Sequence, residues 1–293
     1  MSSSPEVVSF SPQNLNELDE LLGSVSEPIT YVAGATDLMV NPIRWRTANS
    51  LVNLDSVQEM RRTLSFTSSG LLIGAAVPLC EIIQNPKTQS KFPILVAACR
   101  QIGSAQIQNR ATLGGNIANA SPAGDSLPVL SVLDAELWIG PRINGEFIKM
   151  KLDEVMLGPG QTSLTENRYI AYIYLPFIES KNPFWYFRKV GQRYALAISK
   201  VSLAVLGWKR GKRFREVRVC SGSVSPVIRR ATRTEAMLKD AAISDHLMAR
   251  ARRQLEAEIS PIADIRSSIE YRRSICGALL EEALHMHKSN PFY

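Results

Sequence analysis

Cysteine is scarce in this sequence, and no two cysteines lie close together along the chain. Of the 293 residues, four are cysteine: Cys80, Cys99, Cys220 and Cys276. Zinc sites and iron–sulfur clusters need several thiolates, commonly supplied in part by a CxxC pair. We therefore expect no metal site within this chain, and we expect reduced, buried thiols.

Long hydrophobic runs and leader sequences are also missing. No apolar run approaches the roughly 20 residues that span a bilayer. The first ten residues, MSSSPEVVSF, lack the basic and apolar regions of a signal peptide. These absences predict a cytoplasmic protein that does not enter a membrane. A hydrophobic content of 45% and a charged content of 21% are ordinary for a soluble protein of one large or two smaller domains.

Acidic residues are outnumbered, and the formal net charge is +7. Much of the excess lies late in the chain, around Gly211 and again at 229–233. A basic surface suggests nucleic acid, but no zinc finger, RNP-like aromatic motif or basic zipper accompanies it. We therefore expect no nucleic-acid partner. This surface could equally meet an acidic partner subunit or a phosphorylated substrate.

Common catalytic and nucleotide motifs are absent as well. The sequence contains no GxGxxG, no GxxxxGK[ST] and no GxSxG. His285 and His287 are two residues apart and would point to different sides of a helix, while His246 stands alone. The sequence therefore predicts no catalytic side-chain constellation and no metal ligands.

Helices and strands alternate in the predicted N-terminal part. Ser11 is expected to cap the first helix, with Pro12 in its first turn and Gly23 at its end. The Asn144-Gly145 pair predicts a two-residue hairpin. Hydrophobic patterns predict strands at Ile29–Ala33, Leu51–Leu54, Leu64–Phe66, Leu71–Ile73, Leu137–Ile139 and Tyr169–Leu175, and helices at Pro78–Gln84, Phe92–Gln101 and Leu127–Leu133.

A polar, turn-prone stretch near residues 177–183 predicts a boundary between two domains, at 1–178 and 183–289. Beyond it the pattern predicts three strands followed by helices, which is an α+β arrangement. The strands are expected at Phe184–Arg188, Ser199–Trp208 and Phe214–Ser221. The last helix is expected to bury one apolar face, made of Ile275, Leu279, Ala283 and Met286.

The stretch Gln108–Pro128 has almost no bulky side chains. Backbone N–H groups bind a diphosphate best where no side chain stands in the way, and glycine permits that approach. Gly114 and Gly115 offer this in one predicted loop, and Gly34 offers it in another. Two ordinary turns would explain the same residues.

Acidic residues beside these predicted loops sharpen the interpretation. Asp37 and Asp125 would repel a phosphate but would accept hydrogen bonds from sugar or ribityl hydroxyls. Neutral hydrogen-bonding groups are supplied by Thr36, Thr112, Asn116 and Ser121. A ligand that carries both a diphosphate and a polyol, such as FAD, fits both requirements.

Several segments, in order and spacing, resemble the FAD-binding medium subunit of the molybdenum hydroxylase family, of the xanthine dehydrogenase and carbon monoxide dehydrogenase type. The segments are Tyr31–Leu38, Thr112–Ile117, Ser121–Asp125 and Lys189–Ser199. The resemblance covers nearly the whole chain. It implies an α+β fold: a two-subdomain FAD-binding domain of the vanillyl-alcohol-oxidase (PCMH) type, then a smaller C-terminal domain with a three-stranded sheet and helices.

The resemblance also implies which residues contact the cofactor. The first loop, Tyr31, Val32, Ala33, Gly34, Ala35, Thr36, Asp37 and Leu38, would wrap the FAD diphosphate. The second clamp would consist of Thr112, Leu113, Gly114, Gly115 and Asn116. Asp125 would bind a flavin-side hydroxyl, Ile102 would lie against the isoalloxazine, and Ile170 and Lys189 align with further contact positions.

One departure from the family pattern concerns Ala35, where relatives usually have a second consecutive glycine. If the position requires positive φ, alanine costs about 1 kcal/mol, and FAD would bind more weakly. The cysteine-rich insertion that gives some relatives an extra iron–sulfur cluster is absent.

By resemblance, the chain is an FAD-carrying electron-transfer subunit. A molybdopterin-binding large subunit and a small subunit with [2Fe–2S] clusters are the expected partners, arranged as a dimer of heterotrimers. Electrons would pass through FAD to NAD⁺ or another acceptor, without a catalytic side chain here. The alternatives are a stand-alone FAD-dependent oxidoreductase that acts on a small substrate, and a non-catalytic assembly module that has lost FAD.

Overall fold

A small parallel sheet begins the chain and is crossed by one helix. The computed structural model describes residues 7–25, 28–40, 50–165, 167–178, 183–193, 196–210 and 213–289. The sheet has the strand order β1-β3-β2, with β1 at Val8–Phe10, β2 at Ile29–Val32 and β3 at Ser50–Asn53. Helix α1, Leu15–Ser24, follows β1 and precedes β2 along the chain. Its buried residues are leucines. A short 3₁₀ turn, Leu38–Val40, follows β2.

The start of α1 differs from the sequence prediction. Asn14, rather than Ser11, is the N-cap, and its side chain accepts a hydrogen bond from the Glu17 N–H at 3.0 Å. The Glu17 carboxylate in turn accepts a hydrogen bond from the Gln13 N–H at 2.7 Å. This reciprocal pairing satisfies amides that a cap at Ser11 would leave open. Gly23 lies inside the helix, so the predicted stop at this residue is wrong.

An antiparallel five-stranded sheet forms the centre of the N-terminal part, in the order β4-β5-β10-β6-β7. Its strands are β4 (Leu64–Phe66), β5 (Gly70–Gly74), β6 (Glu136–Ile143), β7 (Glu146–Lys151) and β10 (Tyr169–Pro176). The hairpin predicted at Asn144-Gly145 is confirmed, since β6 pairs with β7, and the predicted strands β4 and β5 also pair with each other. At the second turn Asn144 has φ 53° and Gly145 has φ 83°, the left-handed pair that such a turn needs.

Short helices accompany this sheet in the N-terminal part. They are α2 (Gln58–Arg62), α3 (Leu79–Gln84), α4 (Pro86–Lys91), α5 (Pro93–Cys99), α6 (Ala105–Gln108), α7 (Leu113–Ala118), α8 (Ser126–Val132) and α9 (Leu152–Val155). Two short strands, β8 (Met156–Gly158) and β9 (Gln161–Thr162), form a separate pair. Helix α5 is shorter than the predicted Phe92–Gln101, and α4 was not predicted. In α4, Pro86 lies in the first turn, where no N–H is needed, and Asn85 caps the helix.

The C-terminal part contains a three-stranded antiparallel sheet in the order β11-β12-β13. Its strands are β11 (Phe184–Val190), β12 (Val201–Arg210) and β13 (Arg213–Gly222), followed by helices α10 (Thr232–Leu238), α11 (Asp245–Glu258) and α12 (Ile269–Ser289). The predicted strands and the α+β class are confirmed. In α12 the buried side chains include Cys276, Leu280 and Leu284, whereas Met286 is exposed, so its predicted place on the buried face is wrong.

This sheet has apolar side chains on both faces. Val205 and Val219 belong to a core shared with α11 and α12. Ala204 and Leu206 belong to the main core, where β12 and β13 pack on α8 and β11 packs on α5. The sheet is therefore the shared layer between the two parts. Among the helices of the described ranges, none is long and apolar enough to cross a membrane.

Replacing the observed cap tests the correction at α1. We expect Asn14→Ala to lower the free energy of unfolding by about 1 kcal/mol, because the Glu17 N–H loses its acceptor. Ser11→Ala, the control at the sequence-predicted cap, should change it by less than about 0.5 kcal/mol. Urea unfolding measures both. A larger effect of the serine variant would contradict the assignment.

Candidate functional site

The turn after β2 lies directly against the segment that leads into α7. A Cβ added to Gly34 would overlap the Arg110 carbonyl oxygen, so only glycine fits there. The next residue, Ala35, has φ 59°. The condition under which alanine would be costly at this position, a positive φ, is therefore met, and alanine is strained there. The two predicted binding segments are therefore neighbours in space.

Backbone donors are available in this turn. Within the described part of the chain, the N–H groups of Gly34, Ala35 and Thr36 have no hydrogen-bond acceptor. The turn is closed instead through a carbonyl, since Ala35 accepts from the Met39 N–H at 3.0 Å. Successive unpaired amides in a turn are suited to binding an anion.

The second predicted loop is a helix. Residues Leu113–Ala118 form α7, and Thr112 is its N-cap. Its amides already have acceptors in the chain: Gly114 N–H donates to the Ala75 carbonyl at 3.2 Å, and Gly115 N–H donates to Thr112 Oγ1 at 3.0 Å. The amides of these two glycines are therefore already paired within the chain, and their expected contact with a diphosphate stays a prediction. The threonine hydroxyl satisfies a first-turn amide, which two adjacent glycines alone could not reveal.

The two glycines of α7 have different surroundings. A Cβ on Gly114 would come within 2.6 Å of the Ala75 Cβ and carbonyl oxygen. A Cβ on Gly115 would meet only Thr112 Oγ1 within 4 Å, at 3.1 Å. Gly114 is therefore required for packing against the end of β5, whereas Gly115 leaves open space beside the helix.

That open space is a cavity of about 300 Å³ between β2, α7 and β10. It is at the lower end of pockets that hold small molecules, which span about 300–1,000 Å³. The Tyr31 hydroxyl is buried and has no hydrogen-bond partner among the described residues, and burial raises the pKa of Tyr31. The wall is completed by Ile29, Ala33, Leu54, Ala75, Gly114, Gly115, Ala118, Thr162, Leu164, Thr165, Arg168, Tyr169 and Ile170.

A buried ion pair joins the turn before α8 to β11. Lys189 Nζ is 2.6 Å from Asp125 Oδ2, and the side chains are 9% and 8% exposed. The same Nζ donates to the Gln101 carbonyl at 3.0 Å, next to the half-buried Ile102. Asp125 Oδ1 is buried and has no partner in the described part of the chain. Burial raises the pKa of Asp125 to about 6, although the Lys189 charge opposes the shift.

Asn116 links α7 to the segment that carries Asp125. Its Oδ1 accepts a hydrogen bond from Ser126 Oγ at 2.6 Å, directly after Asp125. Gly115, one residue earlier, lines the cavity. The candidate site thus runs from the turn at Gly34, through the cavity, past α7 to the ion pair.

The cavity contains only part of the predicted set. Tyr31, Ala33, Gly114, Gly115 and Ile170 line it, and they come from three separate segments. The other predicted residues do not line it: Val32, Gly34, Ala35, Thr36, Asp37, Leu38, Ile102, Thr112, Leu113, Asn116, Asp125 and Lys189. The Leu113 side chain is fully buried, so only its backbone could contact a ligand. The cofactor roles of this whole set stay a prediction.

Sequence reasoning missed the far wall of the cavity. Thr162, Thr165 and Arg168 supply polar groups there, beside Tyr169. They lie at β9 and just before β10, more than a hundred residues from Tyr31. No motif marks them. The pairing of β10 with the central sheet brings them to the cavity, and single-sequence patterns do not show that pairing.

Two family descriptions match the chain. "FAD binding domain in molybdopterin dehydrogenase" matches residues 5–178, and "CO dehydrogenase flavoprotein C-terminal domain" matches residues 185–286. The fold expected from the resemblance, an FAD-binding domain followed by a smaller domain with a three-stranded sheet, is confirmed. The exact limits at 1–178 and 183–289 stay a prediction.

Individual relatives are similar to this chain over most of their length. The carbon monoxide dehydrogenase medium chain of Hydrogenophaga pseudoflava is 25% identical over 282 residues, covering 96% of each chain. The xanthine dehydrogenase FAD-binding subunit of Escherichia coli is 24% identical over 257 residues, covering 86% of each chain. A solved carbon monoxide dehydrogenase from H. pseudoflava, lacking the Mo-pyranopterin moiety, has a TM-score of 0.89 at 24% identity, covering 98% of this chain and 99% of that one.

The raised pKa of Asp125 predicts a pH dependence of stability. The folded state binds this proton more tightly than the unfolded chain does, where the pKa is about 3.8. The free energy of unfolding, measured relative to Asp125→Asn, is therefore highest below pH 4 and falls as pH rises through about 6. Urea unfolding between pH 3.5 and 8 measures it. The exposed Asp153→Asn is the control. A difference that does not vary with pH would contradict the assignment.

Proposed function

The chain belongs to the family of FAD-binding domains in molybdopterin dehydrogenases, and from that premise we propose that it is the FAD-carrying electron-transfer subunit of a molybdopterin-dependent dehydrogenase or hydroxylase. In this proposal, electrons arrive from [2Fe–2S] clusters of a partner subunit and leave to NAD⁺ or another acceptor. When bound, FAD supplies one-electron and hydride-transfer chemistry. The chain itself binds, orients and shields the cofactor.

One observation carries this proposal. Among the residues that the structure describes, the amides of Gly34, Ala35 and Thr36 have no acceptor, and they adjoin a cavity lined by Tyr31, whose buried hydroxyl also has no partner there. An anionic diphosphate would satisfy the amides, and a nucleoside-like group would occupy the largely apolar cavity and satisfy the hydroxyl. The residues therefore fit a ligand that combines both, as FAD does. At about 300 Å³, the cavity would hold one end of such a ligand, and the rest would extend along α7.

The Asp125–Lys189 ion pair supplies further groups that could bind FAD. Asp125 Oδ1, which has no partner within the described ranges, can accept a hydrogen bond from a hydroxyl or an N–H of the cofactor. Lys189 holds this carboxylate in place and adds a positive charge in a buried setting. Ile102 follows the carbonyl that Lys189 binds, which places its aliphatic side chain close to the same end of the site. We propose that this end faces the flavin.

No acid or base is required of this chain under the proposal. The relatives named above belong to carbon monoxide and xanthine dehydrogenases, so similar chains serve different substrates. Substrate choice is therefore assigned to a molybdopterin-binding large subunit, with a [2Fe–2S] small subunit as the second partner. We propose a dimer of such heterotrimers.

The visible spectrum of the purified protein tests the function. We expect a yellow protein with flavin absorption, and FAD release on denaturation. Isolation from its native source should bring down a molybdopterin protein and an iron–sulfur protein. A colourless chain that takes up no added FAD would leave only the assembly module. Oxidation of a small substrate by the isolated chain would favour the stand-alone oxidoreductase.

Two neighbouring glycines give a sharper test. We expect Gly115→Ala to weaken FAD binding about tenfold, or ~1.4 kcal/mol, because its methyl group enters the space beside α7. Its stability should hardly change. Gly114→Ala should instead lower the free energy of unfolding by about 1–3 kcal/mol, because Ala75 leaves no room. Flavin fluorescence titration and urea unfolding separate the two effects. Unchanged FAD affinity in a folded Gly115→Ala protein would remove α7 from the binding site.

A further inference from the structure

An arginine at the start of α12 is almost completely buried. Arg272 is 3% exposed, far below the usual exposure of arginine. A buried guanidinium is costly unless its N–H groups find acceptors. Its Nη2 donates to Asp264 Oδ1 at 2.7 Å, which supplies the opposite charge. Asp264 is itself held by the N–H groups of Arg266 and Ser267.

The other terminal nitrogen of Arg272 binds two backbone carbonyls. Nη1 donates to the Lys200 carbonyl at 3.0 Å and to the Ser223 carbonyl at 2.5 Å. Lys200 immediately precedes β12, and Ser223 immediately follows β13. One guanidinium group therefore ties together the adjacent ends of two neighbouring strands. Packing alone would not need a buried charge here.

Lys200 and Ser223, whose carbonyls bind Arg272, also donate hydrogen bonds through their own N–H groups. Ser223 N–H donates to the Pro122 carbonyl at 2.8 Å, in the turn just before Asp125. Lys200 N–H donates to the Val190 carbonyl at 2.8 Å, next to Lys189. Arg272 thus reaches the backbone beside both members of the buried ion pair.

The Ser223 end of this connection has further constraints. Ser223 has φ 64°, and its Oγ donates to the Ser199 carbonyl at 3.0 Å. A Cβ on the preceding Gly222 would come within 3.0 Å of Pro128. The turn at Pro122 is closed by Gly124 N–H donating to the Ser121 carbonyl at 2.9 Å. The link from β13 to this turn therefore has little freedom to shift.

We propose that Arg272 is a positioning residue for the Asp125–Lys189 pair, acting through the backbones of Ser223 and Lys200. Its role rests on the proposed function, in which the pair faces the flavin. Arg272 does not touch the cofactor. It sets the distance between the two strand ends, and so the alignment of the carboxylate with the ammonium group. Its Asp264 partner neutralises the charge and fixes the guanidinium plane.

The test compares Arg272→Gln and Arg272→Lys with a control elsewhere in the same domain. Arg252 forms ion pairs with Glu256 in α11 and Glu281 in α12, and neither partner belongs to residues 121–125 or 189–190. Arg252→Gln therefore removes an arginine network without touching the pair. For each protein we would measure FAD affinity, the visible circular dichroism of bound flavin, and hydrogen exchange of peptides covering 121–127 and 187–191.

We expect Arg272→Gln to weaken FAD binding about tenfold, to alter the flavin dichroism, and to speed exchange in both peptides. Arg272→Lys keeps the charge but cannot bind both carbonyls and Asp264 with one fixed fork, so its effects should be intermediate. Arg252→Gln should match the wild type in all three measurements. If the glutamine variant does not fold, the lysine variant decides by the same criteria.

Exchange and flavin properties that are the same in the Arg272 variants and in Arg252→Gln would overturn the positioning role. The exchange measurement needs no cofactor. If the wild-type chain binds no FAD, the proposed function fails, while faster exchange at 121–127 and 187–191 would still support the mechanical link from Arg272 to the ion pair.

Discussion

The buried contact between Asp125 and Lys189 is the constraint on which the rest of the structure depends. It joins the turn before α8 to the end of β11, and each charge is largely removed from water. Breaking such a pair leaves an uncompensated buried charge, which is far more costly than losing an exposed pair. The surrounding structure is accordingly arranged to keep it closed: Gln101 gives a carbonyl to the lysine, and neighbouring backbone is held from β12 and β13.

Much of the fold could be predicted from the sequence. Alternating apolar residues and clear turn signals located the central strands, the Asn144-Gly145 hairpin and the three strands of the C-terminal sheet. Local choices between competing signals were harder. The sequence prediction placed the start of α1 at Ser11-Pro12, whereas the hydrogen bond with Glu17 selects Asn14. Met286 fits the helical period of α12, but the buried face turns toward Leu284.

The two segments of the candidate site that carry Gly34 and Gly115 could be predicted from the sequence, but the residues that form the walls of the cavity could not. Small residues and acids marked the stretches around Gly34 and Gly115, but they could not show that each glycine has a different neighbour: Arg110 for Gly34, Ala75 for Gly114 and open space for Gly115. Arg168 and Arg272 gave no signal at all. Their positions depend on strand pairing and on acceptors brought from distant segments, and no local pattern encodes those.

The three-stranded sheet with two apolar faces also limits how the chain can be divided. A fragment ending near residue 178 would lose the cover that β11 gives to α5 and that β12, with Ala204 and Leu206, gives to α8. The uncovered helices would present an apolar surface to water, and exposed surfaces of this kind drive aggregation. Cutting the chain at the boundary between the two family matches would therefore divide it by sequence family. It would not yield two parts that fold independently.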